Sequence, residues 1–120
     1  MKLKSMTTEQ LVAKYIEIGL AQYDALMLDE VAKFNRLFDK KIVVVDELQR
    51  RAGDQRRLLL ALYEHENPQV RLNAIKATLA IAPQAGREAL EALAKAGEGF
   101  QSLDAGMCIF ALDDGTFKPS

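Results

Sequence analysis

The sequence predicts an all-α fold of about six helices arranged in antiparallel pairs. Apolar residues recur at steps of three and four through most of the chain, and capping residues, proline and glycine separate the apolar segments. The one β-branched cluster, Ile42-Val43-Val44-Val45, has helical flanks and no strand partner, so we expect it to be helical. At 120 residues and 13.3 kDa the chain is expected to form a single domain.

The first two helices are predicted from their start and stop signals. After an N-terminal tail of residues 1–6, Thr7 and Gln10 have the spacing of a capping box. Asp29 is the expected cap of a second helix covering about residues 30–52, which forms either one helix or two with a break near Asp39-Lys40-Lys41. Gly53 is expected to end it in a left-handed conformation, and Asp54 to cap the third helix.

The central helix is predicted to begin at Pro68, because Asn67 can cap its first turn and proline at the first position loses no hydrogen bond. It is apolar around most of its circumference, which indicates apolar neighbours on both flanks. Arg71 falls within the apolar arc and therefore requires either solvent or a carboxylate partner. Pro83 is expected to close the helix, and one narrow polar stripe remains on it: Gln69, Asn73, Lys76 and Ala80.

Two further helices follow. One covers Ala85 to Ala96, with Gly97 and Gly99 as its stop, and the last runs from about Phe100 to Asp113. The tail of residues 115–120 contains Phe117, which we expect to fold back as an apolar end cap.

The stretch Asn67-Pro68-Gln69-Val70-Arg71, followed by Ala74-Ile75 and by Ala77 to Leu79, resembles the second helix of HEAT and armadillo repeats. The resemblance implies three antiparallel pairs stacked as a short α-solenoid, with residues 7–53 as irregular capping helices and 54–114 as two repeat-like pairs. It also implies a small bacterial protein of unknown role. A shift of 33 residues lays Arg71 on Asp104, in the range of helical-pair repeats. We therefore expect a structural ion pair between Arg71 and Asp104, with ligand binding by Arg71 as the alternative; Gly106 weakens the match.

The charge and the cysteine content of the chain argue against several classes of protein. The formal net charge is −1 and the charged residues are mixed in sign, which argues against bulk binding of nucleic acid or an anionic membrane. One cysteine cannot form a disulfide framework, and Cys108 lies in an apolar run where a buried hydrophobe is expected. With no signal peptide and no apolar run of membrane-spanning length, we expect a cytoplasmic protein.

No catalytic or metal-binding pattern stands out. His65, the sole histidine, stands between Glu64 and Glu66, and neither lies at the three- or four-residue spacing of a helical metal pair. Adjacent acids occur at Asp46-Glu47 and Asp113-Asp114, but neighbouring residues on a helix face different directions. The sequence therefore predicts no enzyme, no metal and no cofactor.

The leading functional hypothesis is a protein-interaction module, for example one that sequesters or neutralises a partner protein. The resemblance implies that the second helix of each pair lines the concave surface of the stack. Gln69, Asn73 and Lys76 on the central helix are therefore the candidate protein contacts. Dimerisation through an apolar end of the stack is left open.

Two alternative hypotheses come from other functional classes. A nucleic-acid-binding module would use a basic turn that consists of Arg50, Arg51, Arg56 and Arg57. A solvated turn is the default interpretation of this cluster, and no aromatic residues are interleaved with it. A small-molecule site between Tyr15, Tyr23 and the central helix is the second alternative.

Overall fold

A computed structural model describes residues 2–97 and 99–120 of the chain. Five α-helices and a ten-residue 3-10 segment account for most of these residues, and no strand occurs within them. The predicted all-α fold class is confirmed. The chain divides into two compact units, Met1–Leu58 and Leu59–Ser120. No helix within the described ranges is both long enough and apolar enough to cross a bilayer.

The first unit is a helical pair. Helix α1 (Thr8–Met27) packs against helix α2 (Val31–Arg50), and a 3-10 turn at Leu3–Ser5 precedes them. The predicted capping box is confirmed, since the Thr7 amide donates to Gln10 Oε1 at 2.8 Å and the Gln10 amide donates to Thr7 Oγ1 at 3.1 Å. Helix α2 is a single unbroken helix that includes the β-branched cluster.

Asp29 does not cap α2, which corrects the prediction. Its φ of +58° is left-handed, and the N-cap position of α2 belongs to Glu30. The amide of Glu30 donates to the Ala25 carbonyl at 2.8 Å and the amide of Asp29 donates to the Leu26 carbonyl at 3.3 Å. This bonding pattern is a Schellman motif, so Asp29 ends α1 instead of starting α2.

The connection after α2 also differs from the prediction. Gly53 is left-handed as expected, with a φ of +79°. The helix that follows, Gln55–Glu64, is a 3-10 segment and not an α-helix. Its apolar residues run almost without interruption from Leu58 to Leu62, so the sequence contains no spacing that could distinguish three residues per turn from 3.6.

The second unit contains α3 (Pro68–Thr78), α4 (Pro83–Ala96) and α5 (Gly99–Asp114). Asn67 caps α3 as predicted, accepting the amides of Gln69 at 2.9 Å and Val70 at 3.2 Å. Pro83 is the first residue of α4, whereas α3 ends earlier. The core of this unit consists of Leu72, Ile75, Leu79, Leu90, Leu93, Ala105 and Cys108.

The C-terminal tail returns to this core. Phe117 is partly buried against it, and its amide donates to the Ala111 carbonyl at 3.1 Å. The expected fold-back of Phe117 is therefore confirmed.

Candidate protein-contact face

Helix α5 is apolar on two opposite sides, and only one of them is covered. Its inner side contributes Ala105 and Cys108 to the core. On its outer side four large side chains are more than half exposed: Phe100 at 58%, Leu103 at 65%, Met107 at 64% and Phe110 at 71%. Residues three and four apart are neighbours on a helix surface, so these four form one continuous stripe, which we call the α5 apolar face.

An open groove runs beside this stripe. Its volume is about 590 Å³, and it is lined by the end of α4 and by α5. Gly106 is one of its lining residues, and a Cβ atom placed there would meet no atom of the described residues within 4 Å. Leu103, Met107 and Phe110 line the same groove, so the apolar face is a ridge with a glycine-lined channel along one side.

Polar contacts to α3 fix the orientation of α5. Gln101 Nε2 donates to Gln69 Oε1 at 2.9 Å, and Gln69 Nε2 donates to Asn73 Oδ1 at 2.9 Å. Nearer the other end of α3, Lys76 Nζ lies 2.5 Å from Asp104 Oδ1. Because these contacts hold the opposite side of α5, its apolar face is directed away from α3.

These contacts correct the predicted contact stripe. Gln69 and Asn73 are buried and bonded within the unit, and Lys76 is held by Asp104. A narrow polar stripe on a helix predicts an exposed surface, because polar side chains usually face water. Here it faces the polar side chains of α5, so it is not an exposed protein-contact surface.

The predicted ion pair between Arg71 and Asp104 is likewise corrected, since Asp104 pairs with Lys76. The offset between partners on α3 and α5 is 32 residues at Gln69 and Gln101 but 28 residues at Lys76 and Asp104. Because the offset changes along the two helices, no constant shift of 33 describes their contacts. Arg71 is partly buried, and its Nε is buried with no hydrogen-bond partner among the described residues.

Two contacts to α4 hold α5 from its other flank. Ser102 Oγ donates to the Leu93 carbonyl at 2.8 Å. Arg87 donates to both carboxylate oxygens of Asp113, at 2.6 and 3.0 Å, and this hydrogen bonding lowers the pKa of Asp113 below its ordinary value. The helix that carries the apolar face is thus attached along most of its length.

The basic turn is largely neutralised by its own acids. Arg51 donates to Glu47 at 2.9 Å and to the Leu3 carbonyl at 2.9 Å, and Arg50 lies 3.8 Å from the same Glu47 carboxylate. Asp54 accepts from the guanidinium of the buried Arg56 at 2.8 and 2.9 Å, and this hydrogen bond lowers the pKa of Asp54. Of the predicted patch, Arg57 is exposed with no ion pair in the described part of the chain.

The remaining residues considered from the sequence, His65, Cys108, Tyr15 and Tyr23, are all at least partly buried. His65 is half-buried, and its Nδ1 accepts the Asn67 amide at 3.0 Å. Burial raises the pKa of the Cys108 thiol and of the fully buried Tyr15 phenol, which lowers their reactivity. Tyr23 is half-buried. No three His, Cys, Asp or Glu side chains in residues 2–97 and 99–120 are grouped as metal ligands would be.

Comparison with known proteins establishes the family. Residues 9–113 match a family described as a domain of unknown function, DUF2019. The chain belongs to the DUF2019 family. The crystal structure of the protein RPA1889 from Rhodopseudomonas palustris CGA009 is similar to it, with 49% sequence identity over 100% of this chain and 99% of that chain and a TM-score of 0.96. No protein of curated function matches the chain.

Sequence reasoning missed the α5 apolar face. The signal was present, because Phe100, Leu103, Met107 and Phe110 follow helical spacing. However, the inward residues Ala105 and Cys108 are apolar as well, so periodicity alone did not show which side of α5 would be covered.

Proposed function

We propose that the chain is a protein-interaction module that binds a protein partner through the α5 apolar face. The observation that carries this proposal is the joint exposure of Phe100, Leu103, Met107 and Phe110 along one side of a firmly held helix. Single exposed apolar residues are ordinary on protein surfaces, but contiguous large ones mark interaction sites. Four such side chains, each more than half exposed, present roughly 500 Å² of apolar surface.

The chemistry of the face favours an apolar protein surface as the ligand. Between Phe100 and Phe110 the only charged residue is Asp104, and its carboxylate is already bonded to Lys76. A nucleic acid would require free cations, whereas three of the four arginines in the basic turn contact acids of their own unit. The apolar face therefore supports protein binding better than the basic turn supports nucleic-acid binding.

A HEAT-like arrangement is part of this proposal. The side-chain contacts that join α3 and α5 span 32 residues at Gln69 and Gln101 and 28 residues at Lys76 and Asp104, somewhat below the 33-residue period expected from the sequence. Helical repeats bind proteins through extended surfaces that carry no chemistry of their own. In that role the module would act by sequestering or neutralising its partner.

The proposal is tested by affinity capture from nuclease-treated lysate of the source organism, comparing the wild type with Met107→Lys. Met27→Lys is the matched control, because Met27 is 63% exposed and lies outside α5. We expect a stoichiometric protein to be retained by the wild type and by Met27→Lys but not by Met107→Lys. Equal retention by all three, or retention only without nuclease, would contradict the proposal.

A further inference from the structure

We infer that the partner on the α5 apolar face is a second copy of this chain, bound with the two α5 helices antiparallel across a two-fold axis. This inference rests on the proposed function, since it names the partner of the same face. It follows from the symmetry of the stripe, from the groove beside it, and from its area and charge.

The spacing of the stripe is self-complementary. Phe100, Leu103, Met107 and Phe110 are separated by three, four and three residues, which reads the same in both directions. A two-fold axis that crosses the stripe midway between Leu103 and Met107 therefore sets Phe100 against Phe110 of the partner subunit, and Leu103 against the partner's Met107. Every large side chain then meets one of similar size, as facing positions do in an antiparallel coiled coil.

The glycines beside the stripe suit a close helix approach. Gly99 and Gly106 are seven residues apart and line the same side of the groove. Gly106 weakens the interior of α5, and no packing contact among residues 2–97 and 99–120 offsets this, because a Cβ there would meet none of their atoms within 4 Å. In the antiparallel pair the partner helix occupies that space.

Charge does not oppose this pairing. In the antiparallel pair like flanks of the two α5 helices meet, so Asp104 of each chain lies on the same flank, where its charge is balanced by Lys76 of its own chain. The whole chain carries a formal net charge of only −1, so two copies repel each other weakly.

The area agrees with a dimer of moderate affinity. Two α5 apolar faces together cover about 1,000 Å², which reaches the lower limit of specific interfaces. Interfaces of this size are usually transient, so we expect dissociation in the micromolar range.

Sedimentation equilibrium across the micromolar range tests the stoichiometry. We expect the wild type to pass from a 13.3 kDa monomer to a dimer, and Met27→Lys to behave in the same way. Met107→Lys should remain monomeric at concentrations at least tenfold higher, because it buries two unpaired charges near the axis. A wild type that stays monomeric, or a Met27→Lys variant that dissociates as readily as Met107→Lys, would overturn the inference.

Oxidative cross-linking tests the orientation. In the antiparallel pair Phe110 lies about 15 Å along the helix from its own copy in the partner subunit, too far for a disulfide. A mixture of Phe100→Cys and Phe110→Cys chains should therefore cross-link, whereas Phe110→Cys alone should not. Efficient cross-linking of Phe110→Cys alone would indicate parallel helices and overturn the proposed register.

The two levels of proposal can fail separately. If the protein is monomeric throughout but captures a different protein in a manner that Met107→Lys abolishes, the homodimer is wrong and the interaction module stands. If the protein dimerises and Met107→Lys has no effect on either dimerisation or capture, both proposals are wrong.

Discussion

Gln69 joins two helices through one buried amide, donating to Asn73 and accepting from Gln101. Replacing it with alanine removes both hydrogen bonds and leaves Nε2 of Gln101 buried without its acceptor. We expect Gln69→Ala to lower the free energy of unfolding by about 1–3 kcal/mol, measured by urea denaturation. Gln84→Ala, at an exposed glutamine, is the control and should change it by less than about 0.5 kcal/mol. A Gln69→Ala variant as stable as this control would contradict the role of the amide.

Asp104 is expected to contribute little to stability. Its partner is Lys76, and the two side chains are 47% and 34% exposed, so water screens their attraction. Asp104→Ala should therefore cost less than about 1 kcal/mol in the same urea assay. A loss of several kcal/mol would instead indicate a buried ion pair, which is what the sequence predicts for Asp104 with Arg71.

At the scale of the residue, sequence reasoning succeeded where the interaction is local. The Thr7 and Gln10 capping box and the Asn67 cap were predictable because both partners lie within a few residues of each other. The partners of Gln69 and Asp104 depend on how helices cross, which no local pattern encodes. A polar stripe therefore could not be identified in advance as buried.

Helices α4 and α5 each contain one internal glycine, and the two have opposite surroundings. A Cβ at Gly86 would lie 2.6 Å from Leu79 Cδ2 in the core, whereas at Gly106 it would meet no atom within 4 Å in the part of the chain that the structure describes. We expect Gly86→Ala to destabilise the protein by about 1–3 kcal/mol through overpacking. Gly106→Ala should stabilise the monomer by about 0.5–1 kcal/mol through helix propensity.

Thermal unfolding at low concentration, where the monomer predominates, measures both changes. If Gly106→Ala also weakens self-association, its two effects have opposite signs, which a merely structural glycine would not produce. Destabilisation of the monomer by Gly106→Ala would show that the open space beside α5 is filled from within the chain.

At the scale of the element, the sequence predicted the number and approximate limits of the helices. It did not predict the 3-10 form of Gln55–Glu64, because the continuous apolar run there has no period to measure. It also left the exposed side of α5 undetermined, because Ala105 and Cys108 are as apolar as Leu103 and Met107. Both depend on what packs against the helix rather than on the helix itself.

For the whole molecule, the fold is all-helical, and belonging to DUF2019, a family of unknown function, leaves activity to be argued from the surface. The most informative surface property is that an apolar area sufficient for a partner lies on a helix that is firmly attached to its unit. Rigid attachment reduces the entropy lost on binding, so a modest area can still give a defined complex.

Self-association through the α5 apolar face predicts a melting temperature that depends on concentration. A dimer that unfolds to two separate chains is stabilised by mass action, by about 1.4 kcal/mol per tenfold increase in concentration. For a chain of this length the melting temperature should rise by about 2–5 °C per tenfold increase once dimers predominate. Differential scanning calorimetry would show this rise in the wild type and in Met27→Lys, while Met107→Lys should melt at a constant temperature. A constant melting temperature for the wild type across the micromolar range would exclude coupling between folding and dimerisation. The α5 apolar face would then bind a different protein partner.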